Sequence, residues 1–83
     1  MVIKVFSIFD EKAAVFGNPF FMPHNGQALR AFADLVSDEK SSVHKHPEDY
    51  KLYVIASFDD CSGGFVSLPQ PEFLANATDY LTK

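Results

Sequence analysis

The residues able to do chemistry gather between Lys40 and Asp59. Two of the chain's three histidines, His44 and His46, stand two residues apart there. In an extended segment that spacing turns both imidazoles to one side, and Glu48, Asp49 or Cys61 would then complete a metal site. The same stretch carries Lys40, Lys45 and Lys51 beside Tyr50 and Tyr53. Cations next to aromatic rings are the combination that holds single-stranded nucleic acid, through phosphate contact and base stacking. Arg30, upstream, is one further candidate for a phosphate.

Each of these patterns has a plainer reading. A short His-x-His pair is more often two surface-loop histidines than a ligand set, so no metal is expected. The lysines also suit a solvated loop facing an acidic remainder, and a solitary helical arginine is usually solvated. Cys61 sits in an acidic turn, Asp59-Asp60-Cys61, without the cationic neighbours that activate a thiolate. Glu48-Asp49 and Asp59-Asp60 are adjacent acids of the kind found at helix starts and turns, and they supply no acid-base geometry by themselves. There is no glycine-rich phosphate loop and no G-x-S-x-G elbow. The expectation is a protein without catalytic residues or cofactor.

The charge balance narrows the nucleic-acid reading. A formal charge of −4 argues against the generic electrostatic grip of a basic binder, so any contact with DNA must come from a local patch. One cysteine offers no disulfide framework and suits a reducing compartment. No apolar run approaches the roughly 20 residues that cross a bilayer, and no basic segment leads into a signal-peptide core, so a soluble intracellular protein without membrane contact is expected.

These residues must be positioned by a small domain. At 83 residues the chain reads as a single domain, 1–83, which buries only roughly 60–65% of its unfolded surface. Nine phenylalanines are too many for so thin a core, and some are expected in a homo-oligomer interface, most simply a dimer.

Val2 to Phe9 is β-branched and aromatic with no Gly or Pro, and both of its faces are apolar, which predicts a central strand. Ala14 to Phe16 returns antiparallel, Gly17-Asn18-Pro19 breaks the pairing, and Phe20 to Met22 extends it, giving a hairpin over 2–22. Ala28, Leu29, Phe32, Leu35 and Val36 recur at spacings of three and four, which predicts a helix over 26–36 with Asn25 as its cap. A mobile basic loop is expected over 37–50, ending in a short helical turn that starts at Pro47. Lys51 to Leu68 reads as a second hairpin, with its turn at Asp59 to Gly64.

Phe9-Asp10-Glu11 followed by Phe16 is echoed by Phe58-Asp59-Asp60 followed by Phe65. The echo predicts two equivalent strand-turn-strand units. Leu68 to Pro71 is expected to end the sheet, leaving a C-terminal segment, 69–83. There Phe73, Leu74, Ala77, Tyr80 and Leu81 fit a short helix or an arm exchanged with a partner chain. The predicted class is α+β, two hairpins in a mainly antiparallel four-stranded sheet with one helix packed on it.

Several runs carry a family resemblance: Phe6 to Asp10, Pro19 to Phe21, Ala28 to Phe32, Lys45 to Tyr50, Leu52 to Ile55 and Ser57 to Asp59. Together they resemble the small nonstructural protein of gokushovirus-type microviruses, which are phages with single-stranded DNA genomes. The resemblance covers nearly the whole chain and weakens after Val66. Lys-His-Pro-Glu-Asp-Tyr followed by Leu-Tyr is its most specific part. It implies a DNA-binding role in viral replication or single-strand synthesis, in the host bacterial cytoplasm, with viral single-stranded DNA and the replication initiator as partners.

Two functions from different classes follow. One is a DNA-binding accessory factor using Lys40, Lys45, His46, Lys51 and Arg30 against phosphate, with Tyr50 or Tyr53 stacking on bases. The other is an acidic adaptor that docks surplus aromatic surface on the initiator or on a host or assembly protein, without touching DNA.

Overall fold

The computed structural model describes residues 1–81; the last two residues of the expected C-terminal segment lie outside it. Five strands form one antiparallel sheet: β1 (Val2–Asp10), β2 (Val15–Phe16), β3 (Phe20–Met22), β4 (Tyr50–Asp59) and β5 (Gly64–Asn76). Along the sheet the order is β2-β1-β4-β5, and β3 pairs with β1 beside β2. β2 and β3 are two halves of one returning segment, interrupted at Gly17-Asn18-Pro19 as the composition predicts. The buried Ser7 hydroxyl donates to the Gly17 carbonyl at 2.8 Å across that break.

Helix α1 (Asn25–Ser37) lies on one face of the sheet. Ala28, Phe32 and Val36, spaced by four, turn into a core made with Phe6 of β1, Leu52 and Val54 of β4 and Ala75 of β5. Asn25 does not cap this helix. It is the first helical residue, the capping position falls on His24, and the Asn25 side-chain oxygen instead accepts from Lys4 Nζ at 2.9 Å. A buried-side lysine without a carboxylate partner thus takes the amide that would otherwise serve the helix start.

The segment 37–50 is more ordered than its composition predicts. A one-turn helix, α2 (Ser42–Lys45), is capped by the Ser41 hydroxyl, which accepts from the Val43 amide at 3.0 Å. Val43 then enters the core. One apolar side chain and one cap hold this turn, and neither produces a period that a sequence scan registers. The expected turn at Pro47 is present as a 3₁₀ segment, Pro47–Asp49.

The largest departure is at the C-terminal end, where the sheet does not stop at Leu68 to Pro71. β5 continues to Asn76, and the helix expected after Phe73 shrinks to a 3₁₀ turn, Ala77–Tyr80, with an Asn76–Asp79 capping box. Ser67 pairs with Ala56 and Glu72 with Val54, so residues 68–71 bulge out opposite Ile55. Both prolines fall inside that bulge, on an edge strand, where a missing amide donor costs no ladder bond.

The echoed pattern is a structural repeat. Phe9 pairs with Phe16 and Phe58 with Phe65, with ring centroids 4.7 and 4.9 Å apart. Asp10 and Asp59 each receive an amide from the residue two positions on, Lys12 and Cys61. The fifth residue after the first Phe is left-handed in both loops, Ala14 at φ 58° and Gly63 at φ 76°. A side chain there costs about 1–2 kcal/mol. Ala14→Gly is therefore expected to stabilise the fold by about 1 kcal/mol in urea titrations, after the entropy cost of glycine, and Gly63→Ala to destabilise it by a similar amount.

Candidate nucleic-acid interface

The face of the sheet turned away from α1 is built by strand alternation. On β1 the side chains of Ile3, Val5, Ser7 and Phe9 point to it, and the register places Phe58, Ala56, Tyr53 and Lys51 of β4 opposite them in that order. β5 adds Phe65 opposite Phe58 and Phe73 opposite Tyr53, while β2 and β3 add Phe16 and Phe21. Seven aromatic rings thus occupy one surface. No described helix covers it, because α1, α2 and the C-terminal 3₁₀ turn all contribute their buried side chains to the opposite core.

The rings form two groups. Tyr53 has the centroids of Phe9, Phe16 and Phe73 at 6.2, 5.6 and 5.8 Å, each met edge-on. Farther along β4, Phe21 lies 5.8 Å from Phe58 and 6.0 Å from Phe65. These separations suit aromatic pairs that stabilise one another while leaving ring faces and edges outward. Val5 and Ala56 are paired between the two groups and are buried, although no helix lies above them. Phe16, Phe21, Phe65 and Phe73 remain 44, 46, 59 and 48% exposed, which is high for side chains with no polar atom.

The candidate binding residues divide between the two layers. Tyr53 and Lys51 stand on the aromatic face, one at the centre of the first ring group and the other opposite Phe9. Lys51 is already paired, its Nζ with Glu11 Oε2. Tyr50 is on the other side, packed against the core, where burial and the nearby Asp10 carboxylate push its hydroxyl above the usual tyrosine range. Tyr50 therefore does not share the face on which Tyr53 stands. Arg30 is exposed on α1, Lys40 in the turn after it, Lys45 at the end of α2 and His46 just beyond. All four belong to the helical layer, and none makes an ion pair among the described residues. Lys51 is thus separated from the other four cations by the sheet.

The histidine pair also separates. α2 is helical, not extended, so His44 and His46 do not share a side, and His44 Nδ1 lies 2.7 Å from the Val36 carbonyl. His46, Glu48 and Asp49 do bring one potential ligand atom each within 4.8 Å of one another, at an exposed turn. Cys61 cannot join them, because it follows the far end of β4 and groups with Asp59 and Asp60.

The residues that dominate the face, Phe16, Phe21, Phe58, Phe65 and Phe73, are absent from the cation-centred reading of the sequence. Two signals pointed to them: the excess of phenylalanine over core volume and the echoed Phe-acid-acid pattern.

No solved structure matches the chain. Protein ORF5 of Chlamydia phage 1 is 38% identical over 64 residues, a match covering 72% of this chain and 67% of that protein. Residues 3–80 match the family described as Phage ORF5 protein, from the start of β1 through the last 3₁₀ turn. With a family match over almost its whole length and a phage relative at that identity, the chain belongs to the Phage ORF5 protein family.

Proposed function

We propose that this protein is a non-enzymatic accessory factor of phage genome replication that binds single-stranded DNA on its uncovered aromatic sheet face, in the host bacterial cytoplasm. The observation that carries the proposal is Tyr53 held among Phe9, Phe16 and Phe73 on a face that no described helix covers. Every base has a π-face, so such a surface is tolerant of sequence, and each stacked base contributes about 1–3 kcal/mol. Duplex DNA hides its base faces and gains nothing from these rings. Because Lys51 is the one cation that the strand register places on the face among the described residues, and is ion-paired, affinity rests on stacking more than on charge.

That assignment sets a salt dependence much shallower than that of a basic binder. With one or two phosphates neutralised, the logarithmic slope is about −0.7 to −1.4. Affinity for a twelve-nucleotide thymidine oligomer is then expected to fall only about three- to sevenfold between 50 and 200 mM salt. Titration of tyrosine fluorescence with the oligomer measures it. No quenching at hundreds of micromolar oligomer would sink the proposal.

The adaptor reading has one specific observation in its favour. Carboxylates border the face, with Glu11 on Lys51 at one end and Asp59 and Asp60 in the turn at the other. Capture of the replication initiator at moderate salt, together with silence toward oligonucleotides, would establish it in place of DNA binding.

A further inference from the structure

We propose that a second surface, the groove between α1 and β3, receives a short apolar segment flanked by lysine or arginine from a partner protein. The groove has a volume of about 430 Å³. Its walls are Ile8 of β1, Phe20 and Met22 of β3, and Ala31, Phe32 and Leu35 of α1. Leu35 continues the apolar spacing of the helix but turns out of the core and is 36% exposed. Its side chain therefore stands beside the groove as unfinished apolar surface.

Charge selects the occupant. The remaining lining residues are Asp34 and Asp38, both exposed, and neither carboxylate is in an ion pair among the described residues. Asp38 also accepts the Lys40 amide, which fixes its carboxylate at the end of α1. An apolar floor with two unpaired acids beside it complements a hydrophobic anchor with cations at its ends, the pattern by which grooves take amphipathic segments. An acidic or nucleotide ligand would meet like charge. The groove lies on the helical side of the sheet, away from the ring-bearing face, so a partner there and a DNA strand on the rings are compatible.

Two fluorescein-labelled twelve-residue peptides test the idea, each with leucines at helical spacing, one with lysines and one with glutamates at both ends. Anisotropy is expected to show the lysine-flanked peptide binding at least tenfold more tightly. The double variant Asp34→Lys/Asp38→Lys should reverse that preference and lower the melting temperature by only a few degrees, because both positions are exposed and only the Asp38–Lys40 hydrogen bond is lost. The milder Asp34→Asn/Asp38→Asn should remove the preference without reversing it. Equal binding of both peptides, no binding of either at hundreds of micromolar, or a preference that survives the double variant would each overturn the proposal. So would self-association, measured by sedimentation, that Leu35→Asp abolishes, because the groove would then hold a second copy of this chain.

Discussion

In Tyr53→Ala, affinity for the thymidine oligomer falls about 5- to 150-fold, the equivalent of about 1–3 kcal/mol of lost stacking. Tyr53→Phe retains most of the affinity, since the ring and not the hydroxyl meets the base. Tyr53 is half-buried among three phenylalanines, so part of any loss in the alanine variant is loss of fold. Phe73→Ala separates the two effects. Its ring is exposed on the edge strand, so truncation removes a stacking surface with little cost to the core, and affinity falls within the same range. Tyr50→Phe serves as the control, because Tyr50 faces the helical core and its substitution leaves oligomer binding unchanged. If Phe73→Ala and Tyr53→Ala both bind as well as the parent chain, the ring face does not hold DNA.

Phe32→Ala is expected to cost about 3–5 kcal/mol, the largest effect of any single truncation. Phe32 is fully buried at the centre of α1, between Ala28 and Val36, and meets the Tyr80 ring edge-on with centroids 6.1 Å apart. Removing it opens a cavity between helix and sheet and unseats the C-terminal 3₁₀ turn that Tyr80 docks. A domain of this size has a total stability of about 4–12 kcal/mol, so the variant approaches the unfolding threshold at physiological temperature. Urea titration by circular dichroism measures the loss. A loss below about 1 kcal/mol would mean that the core is not centred on this ring.

How far the ring-bearing face could be read from the sequence depended on the residue. Tyr53 was accessible to sequence reasoning because aromatic and cationic side chains adjoin in the chain, and it does stand on the outer face. Tyr50, three residues earlier, is on the opposite face, as an odd spacing along a strand requires. Lys40, Lys45 and His46 are near Lys51 in sequence, but a capped helical turn and a 3₁₀ segment intervene and carry them into the other layer. Closeness along the chain does not fix which layer a side chain joins, and here the helical turns put these three in one layer and the strand puts Lys51 in the other.

The sequence alone determined those features that rest on short-range sterics. Strand alternation, helical spacing at Ala28, Phe32 and Val36, the break at Gly17 to Pro19 and the paired Phe-acid-acid turns all depend on a residue and its near neighbours. The α+β class followed from them. Tertiary structure alone decided what lies over each face, who partners Lys51, and whether Pro69 and Pro71 stop a strand or sit in a bulge. The reason is that a bulge such as the one at Ile55 shifts the parity of every side chain beyond it, and that shift is settled by pairing with a distant strand. One face then receives the helices, and the other is left with its rings uncovered.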